Sequence, residues 1–293
     1  MKIRDIIGAA ALCIISGSVY AVPPANVRGV DLAAVLAAHD RVRQITHQPN
    51  EDARPLRAIR TIVLDPGHGG ENQGALGVCD VHEKYLTLEL AYELRARLQA
   101  EHPDARIILT RYWDHGLGLS ERIELANKVN ADLFISLHYN AATHPRALGF
   151  ETYFLRANET IPGQEEVKGE MVASNGQVVG APEDQVEQPV DPIVFMREDL
   201  LRQKQNEESG LLAEVVNSSL AGHLNSVNRG VKQANFGVLR GAKMPAVVME
   251  AGFVSHPEEG HDVVSVEHRT ALVDALHNAI LEFDEKLTRK NNP

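Results

Sequence analysis

Short, β-branched apolar runs that break into glycine- and histidine-bearing loops constrain this chain more than any other feature. Thr61-Ile62-Val63-Leu64-Asp65 is one such run, and it stops at Pro66-Gly67. Its length and branching are those of a buried strand entering a loop. Arg106 to Thr110, Asp132 to Leu137, Gly149 to Leu155 and Pro245 to Glu250 read as further strands. Between them the apolar period changes. Leu86, Leu90, Leu94 and Leu98 recur every four residues and predict a helix from Glu83 to Gln99. Leu119 to Val129 predicts a second, with Ile123, Ala126 and Val129 on one face. Leu272, Leu276, Ile280, Phe283 and Leu287 outline a closing helix. Strands alternating with helices predict an α/β fold whose sheet is covered by helices on both faces. Chemistry in such folds gathers at the carboxyl ends of the strands.

The rest of the chain is organised around that block. Lys2 and Arg4 precede an apolar run from Ile6 to Ile15, and Val19-Tyr20-Ala21 sets small residues before a cleavage point. Residues 1–21 therefore read as an export signal removed after Ala21, and the run is too short to span a bilayer. Residues 22–58 carry four prolines and one candidate helix, Asp31 to Arg43, and read as a linker whose helix docks on the domain after it. Residues 59–288 form that domain, and 289–293 a tail. Export leaves Cys79 as an unpaired thiol. The 293 residues hold 29 Lys+Arg against 40 Asp+Glu, a net charge of -11. That balance argues against nucleic acid as a main partner, because phosphate binding needs clustered positive charge. No membrane-integral segment is expected after signal cleavage.

Three strand ends carry unusual residues. Asp65-Pro66-Gly67-His68-Gly69-Gly70 sets a histidine among glycines directly after a strand, and Ser136-Leu137-His138-Tyr139-Asn140 repeats the placement. Val247-Val248-Met249-Glu250-Ala251-Gly252 ends a strand with a carboxylate. Glu83 stands at the start of the leucine-rich helix. Two neutral imidazoles and one carboxylate suit a catalytic zinc with a fourth position for water. A separate carboxylate must then move the proton from that water to the leaving nitrogen, and Glu250 fits because its strand is remote from the ligand loops. The residues alone leave other readings open. A histidine after a strand is more often a hydrogen-bonded side chain than a ligand. A helix start favours a glutamate with no metal, and His82 offers a nitrogen beside Glu83.

The joint pattern is more specific. Ile62 to Gly70, Glu83-Lys84, Leu109-Thr110-Arg111, Leu119-Ser120-Glu121-Arg122 with Ala126-Asn127, Ile135 to Ala141 and Val248 to Ser255 appear in that order. This series resembles the signature of zinc-dependent N-acetylmuramoyl-L-alanine amidases, the division-associated group in particular, from about Ile59 to Phe283. The resemblance implies a single domain with a twisted mixed, mostly parallel sheet of about six strands flanked by helices. It implies Zn2+ held by His68, Glu83 and His138, with Glu250 as catalytic glutamate. Arg111, Arg122 and Asn127 match framework positions, read as hydrogen-bonding supports. The implied substrate is peptidoglycan, cut at the amide between N-acetylmuramic acid and the L-alanine of the stem peptide, in the periplasm. Runner-up readings are a catalytically silent wall-binding or regulatory protein and a zinc hydrolase of another wall bond.

Residues 156–210 hold 12 Asp+Glu against five Lys+Arg and form the least family-like stretch. Asp191-Pro192 reads as an N-cap with proline at the first helical position, and a broken helix is expected to run to Asn228. Division amidases carry an occluding insertion here, with a glutamate that reaches the zinc until a LytM-domain-type activator displaces it. The resemblance therefore implies that one of Glu165, Glu166, Glu170, Glu183 and Glu187 covers the metal. The alanine- and asparagine-rich helix usual in that group is absent from this segment.

Overall fold

Leu86, Leu90, Leu94 and Leu98, the four-residue stripe, are all buried and anchor helix α1 (Glu83–Glu101) on the sheet. Each such side chain contributes about 1.5–3 kcal/mol of burial. The computed structural model of the chain describes residues 11–15, 18–22, 55–156 and 192–291. Ala11–Ile15 (β1) and Ser18–Val22 (β2) pair as an antiparallel two-stranded sheet. Most of the signal segment, the Asp31 to Arg43 helix and the five insertion glutamates lie outside the described residues.

The main sheet contains β3 (Thr61–Pro66), β4 (Arg106–Leu109), β5 (Leu133–Asn140), β6 (Phe150–Leu155), β7 (Asn228–Ala234) and β8 (Ala246–Phe253). Its strand order is β4-β3-β5-β8-β6-β7. Only the β6–β8 pair is antiparallel, so the sheet is mixed and mostly parallel. Every residue of β3 and β8 is buried, as central parallel strands require.

From β3 the chain crosses outward to β4 through α1, then returns past β3 to β5 through α2 (Leu119–Lys128). Two right-handed crossovers in opposite directions set α1 and α2 on opposite faces. Arg122 of α2 meets Asp65 on its face, while Tyr139 of β5 points to the other. Helix α3 (Pro192–His223) and α5 (Val266–Asn291) pack together, and α5 also packs on α1. A short helix, α4 (Glu259–Asp262), precedes α5.

Three sequence expectations change. Helix α3 is one continuous helix that stops at His223, and the chain then turns into β7 by Asn228. Asn225 and Ser226 lie in that turn, where short polar side chains compete with helix geometry. His138 and Glu250 lie inside β5 and β8, which run on to Asn140 and Phe253. Phe253 stays in the strand because Glu259 accepts its backbone N–H at 2.8 Å.

Candidate metal and catalytic site

The register of the sheet aligns the site. His138 of β5 is the partner of Glu250 in β8, and Glu250 is the partner of Glu151 in β6. Partners across adjacent strands share a face, so the three side chains form a row on the α2 side. Gly67 extends the row beyond His138, because its N–H donates to the Leu137 carbonyl at 3.0 Å. A β-carbon at Gly67 would lie 2.3 Å from Cε1 of His138. Only a glycine lets the β3 loop pass so close to that ring.

His68 follows with a backbone φ of 61°, a left-handed conformation uncommon outside glycine. Arginines fix this turn. Arg122 donates to Asp65 at 2.7 Å, to the Pro66 carbonyl at 2.9 Å and to the His68 carbonyl at 2.7 Å. Arg111, fully buried, donates to the carbonyls of Pro66, Gly67 and Lys84 and to Thr87 Oγ1. It thereby ties the β3 loop to the first turn of α1, and burial pushes its pKa down to about 10. Asn127 bonds the Gly241 carbonyl and the Lys243 N–H ahead of β8. All three framework residues act through hydrogen bonds.

Glu83 opens α1 and is 3% exposed. Its Oε2 lies 3.0 Å from Nε2 of His68, and its Oε1 lies 3.0 Å from Nδ1 of His138. The N–H groups of Ala75 and Tyr139 donate one to each oxygen. Burial would raise this carboxyl, but the hydrogen bonds and charge of His138 and His68 outweigh it and hold the group well below the carboxylate range. The imidazoles meet edge to face with centroids 4.8 Å apart. One ligand atom from each of His68, Glu83 and His138 lies within 4.8 Å of the others. His82, the other candidate, is the N-cap of α1 and stands outside this group.

Two nitrogens and a carboxylate converging on one point are the donor set a divalent zinc ion takes, so the residues fit such an ion. Glu250 is 9% exposed, and its Oε2 has no hydrogen-bond partner among the described residues. Burial, with the nearby carboxylates Glu83 and Glu151, pushes it up to about 7 against the pull of His138 and His68.

Sequence reasoning missed Glu151. This buried carboxylate accepts from Asn140 at 2.7 Å, from Arg229 at 2.9 Å and from Lys232. Its only sequence signal was an acidic residue at a strand position flanked by phenylalanine and threonine. Cys79 is a free thiol whose Sγ lies 3.1 Å from Nδ1 of His261.

A cluster at the carboxyl ends of parallel strands in a covered α/β sheet marks an enzyme site of the open-sheet class. The chain belongs to the Amidase_3 family, N-acetylmuramoyl-L-alanine amidase, whose model matches residues 62–282. It is 30% identical over 224 residues to the N-acetylmuramoyl-L-alanine amidase AmiA of Salmonella typhimurium, covering 76% of each chain. It is 31% identical over 245 residues to AmiC of Neisseria meningitidis, covering 83% of this chain and 57% of that one. An N-acetylmuramoyl-L-alanine amidase from Clostridium difficile 630 superposes with a TM-score of 0.57 at 25% identity, over 78% of this chain and 97% of that one. The CwlV catalytic domain from Bacillus (Paenibacillus) polymyxa var. colistinus gives 0.56 at 22% identity, over 77% and 98%. That likeness speaks to the fold.

Proposed function

We propose that this chain is an exported peptidoglycan hydrolase that cleaves the amide between N-acetylmuramic acid and the L-alanine of the stem peptide. Family membership supports the amidase class. The observation that carries the mechanism is Glu83, with one oxygen 3.0 Å from each of two histidines, beside a row that places Glu250 next to His138. His68, Glu83 and His138 hold Zn2+. When bound, the ion supplies Lewis acidity that acidifies a water and polarises the amide carbonyl.

The chain's own groups do the remaining work. Glu250 accepts the proton from the attacking water and returns it to the alanine nitrogen as the C–N bond breaks. Oε2 of Glu250, which has no hydrogen-bond partner among the described residues, is the atom that takes this proton. Glu151, fixed by Asn140, Arg229 and Lys232, stands beside Glu250 and adds negative charge that keeps its carboxyl basic. Arg111 and Arg122 hold the His68 turn against α1.

Residues 1–21 direct the chain to the periplasm, and the acidic insertion at 156–210 covers the site until a LytM-domain-type activator moves it. Deleting Ala157 to Val190 then raises basal wall hydrolysis, and unchanged activity contradicts the occlusion. Digestion of purified wall by the variant lacking Ala157 to Val190, in which nothing of that segment is left to cover the site, tests the reaction itself. Free stem peptides with intact glycan are expected. Cut crosslinks or released acetate would indicate a zinc hydrolase of another bond, and no product a silent wall-binding protein.

A further inference from the structure

At the far end of α1 a second group of metal-type donors converges. Glu101 closes that helix and His102 is its C-cap residue, and His277 reaches them from α5. Nε2 of His277 lies 3.1 Å from Oε2 of Glu101 and 3.2 Å from Nε2 of His102. One ligand atom from each lies within 4.8 Å of the others. His102 and His277 are 2% and 3% exposed. Their rings are stacked, 20° from parallel.

The arrangement is poorly served by protons. A single ring nitrogen, Nε2 of His277, faces both the Glu101 carboxylate and Nε2 of His102, and in no neutral tautomer can it donate to the one and accept from the other. It has at most one hydrogen to offer them. A cation satisfies all three at once. Bonds of about 2.0–2.1 Å to zinc set tetrahedral neighbours about 3.3 Å apart, close to the 3.1 Å and 3.2 Å separations here.

We propose that Glu101, His102 and His277 form a second metal site, for a divalent first-row transition ion of the zinc class, that clips the C-terminal end of α1 to α5. Imidazole with a carboxylate selects such ions over calcium or magnesium. The Glu101 side chain is 32% exposed, which leaves an entry path and room for water as the fourth ligand. Arg97, paired to the other oxygen of Glu101, is the charge that opposes the ion. Eighteen helical steps separate Glu101 from Glu83, about 27 Å along the axis. The clip is thus structural and independent of the site at the strand ends.

Zinc per chain, counted by equilibrium dialysis and elemental analysis of the full-length protein, tests this. Wild type should hold two ions and Glu101→Ala one. The His68→Ala variant should hold one, and zinc should raise its Tm. His68→Ala/Glu101→Ala should hold none and show no rise. His277→Gln should match Glu101→Ala in ion count; if it does not fold, the variant at the half-buried Glu101 decides alone. Wall digestion by Glu101→Ala should stay at the wild-type rate when zinc is present. An ion count unchanged by Glu101→Ala, or a zinc-induced Tm rise that survives in the double variant, overturns the proposal.

Discussion

His138 and Glu250 are register partners on the adjacent parallel strands β5 and β8, so one ring and one carboxylate share a face of the sheet. That single pairing joins the loop chemistry of β3 and α1 to the carboxylate of the last strand. The two residues have different jobs in the proposed reaction, and the Glu250→Gln variant separates them. It should keep the metal content of wild type, because Glu250 lies outside the ligand group. Its kcat for wall digestion should fall by roughly 10²–10⁴-fold, the usual worth of general acid–base catalysis. Metal analysis beside a rate assay checks both halves.

Gly67→Ala should disturb the same place from the other side. The added methyl would meet Cε1 of His138 at 2.3 Å and Nε2 at 2.4 Å. Either the ring or the β3 loop must move, at a cost of about 1–3 kcal/mol for overpacking. Zinc affinity measured by competition with a chelator should weaken by about 10–100-fold, the effect seen when a ligand loses its orientation.

Arg111→Lys keeps the charge and loses the fork. Guanidinium reaches several acceptors at once, whereas an ammonium on a flexible stem cannot reproduce that plane. The variant should be less stable to denaturant by about 1–3 kcal/mol, because buried carbonyls lose their donors. Equilibrium unfolding in urea reads this directly.

Acid stability should depend on Asp65. Burial alone would raise this carboxyl, but Arg122, Thr110 and Ser136 more than reverse that, so its native pKa lies below the ordinary value. A depressed native pKa stabilises the fold fully above the unfolded value, about 3.9. That contribution disappears as the pH falls through the native value. The urea midpoint of wild type should therefore drop below about pH 4. Asp65→Asn should be weaker at neutral pH by about 3–5 kcal/mol, since Arg122 is left buried without its counter-charge. It should also show a flatter acid limb than wild type.

The strands with strong apolar runs were legible because burial on both faces leaves little freedom of composition. β3 and β8 are buried throughout, and their β-branched runs say so. The leucine stripe placed α1 to within two residues of its end. β7, Asn-Arg-Gly-Val-Lys-Gln-Ala, was not legible: it is an edge strand, polar and partly exposed, with no alternation to read. His68, Glu83 and His138 stood out by residue type at strand and helix ends. Glu151 did not, because its setting depends on the antiparallel register with β8 and on Arg229 and Lys232 from β7. Pairing between distant strands is a tertiary property, and no local pattern encodes it.

Anomalous diffraction at the zinc edge, from crystals of zinc-loaded protein, addresses the central claim most directly. A peak enclosed by Nε2 of His68, Nδ1 of His138 and the Glu83 carboxylate, with Glu250 beside it and unligated, is the predicted result. Density without a peak at those three side chains, or a peak bound through Glu250 in place of one of them, would contradict the account.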